Sequence, residues 1–143
     1  FPPSTLARLD TGSFVPSTVG TIQGWPELSG TSTAELWGFF PAPTGSRIAQ
    51  LDKTNGSTLR MFSLTTLTGM PTAWAFAAHG GSFWVFLMKD LETDTTVYQL
   101  NSMTGSLVGM TRANGRTIVG AGVSTCAPTG VRAARYRVVS TSQ

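Results

Sequence analysis

Few residues in this chain are suited to chemistry, and each has a quieter explanation beside it. His79 is the only histidine, and it stands directly before Gly80-Gly81. An imidazole works as a general base only beside a nucleophile and an orienting carboxylate. Serines and threonines are plentiful, but none sits in nucleophile-elbow spacing, so His79 reads as a turn residue. A single histidine also leaves no His pair or cluster for a metal. Asp90-Leu91-Glu92-Thr93-Asp94 places three carboxylates at alternate positions. Hard cations such as Ca²⁺ take oxygen ligands from loops of this kind. Calcium is therefore the one cofactor the sequence suggests, with Asp90, Glu92 and Asp94 as ligands. The glycine for a sharp bend and a distal bidentate Glu are missing, and the competing expectation is a solvated charged loop.

Glu27 and Glu35 are the candidate carboxylate pair for glycoside chemistry, which depends on the separation of two such groups. Nothing in the sequence fixes that separation. Asp10, Asp52 and Asn101 recur at equivalent places. They would line a channel mouth, or, more simply, brace turns through their side-chain oxygens. Trp25, Trp37, Trp74 and Trp84, with Phe39, Phe40, Phe76, Phe83 and Phe86, carry the heavy apolar content. Aromatic faces stack on sugars, but inside strands they are expected to fill a core. Trp25, beside Pro26 in a Gly-flanked segment, is the expected exposed exception and the candidate ligand-binding residue. Cys126 is the lone cysteine, so it has no internal disulfide partner. It reads as a buried small residue, a free thiol, or half of a bridge to another part of a precursor.

Composition narrows the class. The chain has 143 residues, a one-domain length with room for a core. It is 41% hydrophobic and only 12% charged, so Ser, Thr and Gly take most polar positions. That balance suits short strands with many turns and is common in secreted and surface proteins. The net charge of +3 comes entirely from Arg132, Arg135 and Arg137; residues 1–130 are neutral. With no basic stripe, nucleic acid is not an expected partner. No apolar run approaches the ~20 residues of a membrane span. The chain begins at Phe1 rather than Met and shows no signal peptide, which reads as a processed piece of a longer precursor.

The elements that would position these residues come from a repeat. Glu35-Leu36-Trp37-Gly38-Phe39-Phe40 is echoed by Ser82-Phe83-Trp84-Val85-Phe86-Leu87. Ala49-Gln50-Leu51-Asp52 before Asn55-Gly56 is echoed by Tyr98-Gln99-Leu100-Asn101 before Thr104-Gly105, and again by Ala7-Arg8-Leu9-Asp10. The Asn55-Gly56 pair predicts a type I′ hairpin turn. No window shows helical periodicity with caps. About twelve short strands are expected, including Ala73 to Ala78 as the fourth strand of one unit and Thr117 to Val123 as the fourth of the next. A four-stranded repeat of about 45 residues selects a β-propeller-type fold over a β-sandwich or barrel. The units are 34–79, 82–123, and a third split between 1–30 and 131–139. A loose tail over 130–143 is the rival for the last part. Three blades fall short of a closed ring, so a homodimer or the missing part of a precursor would supply the rest.

The run Trp-Gly-Phe-Phe…Gln-Leu-Asp-Lys-Thr-Asn-Gly…Ala-Trp-Ala-Phe…Gly-Gly-Ser-Phe-Trp-Val-Phe-Leu, ending in Val-Ser-Thr-Cys-Ala-Pro, resembles uncharacterised β-propeller-like exported proteins of myxobacteria, often predicted lipoproteins. The resemblance covers residues 1–128. It implies export to the cell envelope or outside, and it implies no reaction. The expectation is an exported binding or interaction module for polysaccharide or a protein partner. The alternatives are a structural repeat domain of an envelope or filament assembly, and a hydrolase or lyase on a propeller scaffold.

Overall fold

A computed structural model describes residues 1–124 of the chain. Cys126, the three C-terminal arginines and the strand expected over 131–139 lie outside the described residues. Ten strands run in order: β1 Ser4–Leu9, β2 Pro16–Ile22, β3 Glu27–Gly30, β4 Leu36–Phe40, β5 Ser46–Leu51, β6 Thr58–Leu64, β7 Pro71–His79, β8 Ser82–Lys89, β9 Thr96–Asn101 and β10 Leu107–Arg112. They form three antiparallel sheets: β1-β2, then β3-β4-β5-β6, then β10-β9-β8-β7. Each is a meander of sequence neighbours, and none closes into a barrel.

The sheets are phased one strand earlier than the sequence repeat suggested. Residues 71–79 do not end the second sheet; they open the third. The reason is local. His79-Gly80-Gly81-Ser82 is a tight hairpin, with Gly80 and Gly81 both at positive φ and His79 opposite Ser82. It locks Ala78 to Phe83 and Phe76 to Val85. The Thr65–Met70 connection is the crossover between sheets. Thr117–Val123 forms no strand. Its neighbourhood bonds to Thr95 instead: Ile118 N–H donates to Thr95 Oγ1 at 2.9 Å, and Thr95 N–H donates to the Arg116 carbonyl at 2.9 Å.

The three copies of one turn superpose bond for bond. Phe14 N–H donates to the Asp10 carbonyl, Gly56 to Asp52 and Gly105 to Asn101, each at 2.8 Å. The closing bonds from Asp10 to Val15, Asp52 to Ser57 and Asn101 to Ser106 span 2.8–3.1 Å. The side-chain oxygen accepts from the backbone inside each turn: Gly12 N–H on Asp10, Thr54 N–H on Asp52, Met103 N–H on Asn101, at 2.7–3.0 Å. So these residues brace turns rather than line a channel. The bend is wider than the expected type I′ turn, because Gly56 has a positive φ and Asn55 does not. Phe14 takes the left-handed position (φ 58°) that glycine fills in the other two copies.

Strand alternation feeds two cores. Trp37, Phe39 and Ile48 of the second sheet meet Phe76, Phe83, Val85, Leu87, Tyr98 and Leu100 of the third. Leu6 and Ile22 of the first sheet meet Phe40, Ala49 and Leu51 on the other face of the second. The second sheet is therefore covered on both sides, which is why β4 reads as an unbroken apolar run. Phe39, Phe76 and Phe83 are fully buried, each contributing about 2–3 kcal/mol by area. The edge strands β3 and β7 are tied by Ser29, whose Oγ accepts the Ala78 N–H at 3.0 Å.

Candidate functional site

The second and third sheets splay at one end into a cleft of about 320 Å³. Its walls come from the β3–β4 loop (Thr31, Thr33, Glu35), from Arg60 on β6, from His79 and Ser82 at the β7–β8 hairpin, and from Ser102 and Met103 in the Asn101 turn. Trp37 and Phe83 form its floor, with ring centroids 4.8 Å apart.

Glu35 is the most constrained group in the cleft. Its Oε2 accepts Trp37 Nε1–H at 3.2 Å and Thr33 Oγ1–H at 3.3 Å, while Oε1 accepts Gln50 Nε2–H at 3.1 Å. Thr31 Oγ1 accepts the Glu35 N–H at 3.2 Å, which holds the loop. The carboxylate is thus fixed in a partly buried setting with lone pairs still open to the cleft. Arg60 stacks on the Phe62 ring at 4.7 Å and donates to the Met103 carbonyl across the cleft rim. No hydrogen bond joins the His79 imidazole to the side chain of Glu35, Ser82 or Ser102. Ser82 Oγ accepts from Gln99, and Ser102 Oγ donates to the Gly81 carbonyl. The arrangement can hold a ligand rich in hydroxyls, through one carboxylate, one guanidinium and one imidazole around an aromatic floor. It holds no coupled nucleophile and base.

The cleft brings Glu35 and His79 together over Trp37 and Phe83, and the other residues singled out from the sequence lie elsewhere. Glu27 and Glu35 sit at opposite ends of the β3–β4 pair, Glu27 opposite Phe39 and Glu35 beyond the Gly30–Leu36 pair. They do not form a catalytic pair. Burial pushes the Glu27 carboxyl above the usual carboxylate range. Trp25 is 48% exposed, in a surface cluster with Phe1 (centroids 5.2 Å) and through it Trp74 (5.7 Å). That cluster lies towards the opposite end of β7 from the cleft.

The acidic loop does not assemble a calcium site. Glu92 Oε2 accepts the Lys89 N–H at 2.7 Å, and its Oε1 lies 3.7 Å from Lys89 Nζ and 4.0 Å from Arg112 Nη1. Asp94 pairs with Arg112 and also accepts the Gly115 N–H at 3.3 Å. The Arg112 hydrogen bond holds the Asp94 carboxyl below its ordinary range. Cationic side chains already supply the charge a metal would bring. Among the described residues, no three His, Cys, Asp or Glu side chains converge on a metal position. No helix among them is long and apolar enough to cross a membrane.

Sequence reasoning missed the cleft because its members are far apart in the chain. Arg60 and Met103 meet across 43 positions. The sequence pointed to Glu35 and His79 separately, as half of a carboxylate pair and as a turn residue. No protein-family profile, curated protein or solved structure matches this chain. The fold and the cleft define its class: an all-β protein of successive antiparallel sheets with a polar inter-sheet cleft.

Proposed function

We propose that this chain is a binding module of an exported protein, taking a polysaccharide segment in the cleft between its second and third sheets. The observation that carries this reading is Glu35, a carboxylate held by three donors at the mouth of an aromatic-floored cleft. A carboxylate fixed in this way accepts paired hydroxyl donors without further ordering cost. Arg60, on the same sheet at the cleft rim, and His79, on the third sheet, supply donors. The low charge and the abundance of Ser and Thr agree with a polyhydroxylated ligand. Successive four-stranded sheets joined through edge strands β3 and β7 support a propeller-type arrangement, with the cleft at one rim between two blades.

A glycan array of envelope and plant polysaccharides, followed by calorimetry on the hits, tests the reading. The expected result is saturable binding that Glu35→Gln weakens by about tenfold or more, the scale of a hydrogen bond to a charged group. Trp25→Ala is expected to leave it unchanged. An array without hits removes the saccharide reading. Binding lost with Trp25→Ala but kept with Glu35→Gln moves the site to the Phe1–Trp25–Trp74 cluster.

A further inference from the structure

The two ends of the sheet stack carry complementary halves of an interface that the chain already uses twice. Register makes the positions comparable. In the second sheet Trp37 lies opposite Gln50, and Phe39 opposite Ile48. In the third sheet Trp84 lies opposite Gln99, and Phe86 opposite Val97. On the second sheet this face is covered by the third, leaving Trp37 3% exposed and Phe39 and Ile48 at 0%. The same face of the third sheet carries the same Trp, Phe, Gln and β-branched residue. There Trp84, Phe86 and Val97 are only half-buried and belong to neither core. Among the described residues after β10, Thr117 Oγ1 donates to Met88 Sδ at the end of that face.

The opposite end mirrors this. Ala49 and Leu51 of the second sheet are buried under the first sheet, and Tyr98 and Leu100 of the third are buried under the second. The equivalent residues of the first sheet, Ala7 and Leu9, are exposed. The turns follow the same rule. The Asp52 turn lies on β2, where a Cβ on Gly20 would meet the Asn55 carbonyl. The Asn101 turn lies on β6, where a Cβ on Gly105 would stand 2.5 Å from the Phe62 ring. The Asp10 turn, with Phe14 73% exposed, lies on nothing among the described residues.

We propose that a second copy of this chain docks the outer face of its first sheet onto the outer face of the third. Each such contact repeats the interface between consecutive sheets within the chain. Leu9 covers the third sheet as Leu51 covers the first. The Asp10 turn settles on β10 at Thr111, which lies opposite Val97 as Phe62 lies opposite Ile48. Phe14 replaces the glycine of the other turns, and Thr111 replaces the bulk of Phe62, so size is exchanged across the contact. The contact is head-to-tail. Two copies that close it twice make a ring of six sheets, and copies that do not close make a filament.

Sedimentation and light scattering on the 143-residue chain test this, with circular dichroism to show that each variant is folded. The expected wild-type species is two chains. Leu9→Lys on an exposed position, and separately Trp84→Lys, each weaken association by about 30-fold or more, the scale of an interface hot spot. Val97→Lys replaces Trp84→Lys if the latter does not fold. Mixing the two variants restores two-chain particles, because one of the two contacts in the mixed pair is unaltered. Longer polymers lost in both variants support the same contact. A chain that stays monomeric at high concentration overturns the proposal, as does a dimer indifferent to both variants or a mixture that fails to restore assembly. Glycan binding by a monomer separates this proposal from the saccharide reading.

Discussion

Replacing Gly20 by alanine probes the seam between the first and second sheets. Gly20 is on β2, and its added Cβ would lie 2.0 Å from the Asn55 carbonyl oxygen and 2.7 Å from the carbonyl carbon. The obstacle is backbone in a turn braced by Asp52, not the end of a flexible side chain. Cβ contacts below 3.0 Å are essentially never found, so strand and turn must part by about 1 Å. Overpacking of this kind costs about 1–3 kcal/mol. Glycine itself weakens a strand by about 0.5–1 kcal/mol, which the substitution returns. The net loss is about 1–2 kcal/mol, or roughly 5 °C in Tm for a chain of this length. Gly109 on β10 is the control, since it has open space around the same position. Gly109→Ala is expected to leave Tm unchanged or raise it slightly. Thermal and urea unfolding of the two variants, with m unchanged, reads the difference directly. Equal effects at the two positions would refute the packing of the Asp52 turn on β2, and with it the reading of the first sheet as a repeat of the others.

Two further outcomes follow from the turns and the ion pair. Phe14→Gly removes a left-handed cost of about 1–2 kcal/mol and adds roughly 0.5–1 kcal/mol of glycine entropy. Urea unfolding at high dilution should therefore show a variant slightly more stable than wild type; a clear loss would mean Phe14 makes contacts within its own chain. Asp94 is held below its ordinary range by Arg112. A depressed carboxylate contributes stability that is present above its unfolded value near pH 4 and is lost as pH falls through the folded value. Asp94→Asn should thus lower Tm at pH 7 and flatten the acid limb of the Tm–pH curve. An acid limb identical to wild type would show that the pair does not couple to folding.

Much of the site's framework was legible, and the site was not. Local chemistry announces strands and turns: period-2 alternation in Thr96–Asn101, the Asp or Asn four residues before a left-handed position, the exposure of Trp25 beside Pro26. The Glu35 cleft depends on groups from three loops and from strands β4, β6 and β8, whose approach no short window encodes. The charge pairing of the acidic loop was hidden for the same reason: Arg112, which pairs with Asp94, stands eighteen positions after it.

By itself the sequence determined the all-β class and the recurrence of one turn, braced by Asp10, Asp52 or Asn101, because these rest on hydrogen bonds and side-chain alternation within a few residues. Only the tertiary structure decided the phase of the repeat. A periodic chain has no intrinsic starting point, and the tight Gly80-Gly81 hairpin assigned Pro71–His79 to the sheet that follows it. The same packing settled which matched aromatics are core. Trp37 and Trp84 hold equivalent places in the repeat, but among the described residues only Trp37 has a sheet laid over it. Burial belongs to what lies across the interface, and the residue type alone does not carry that information.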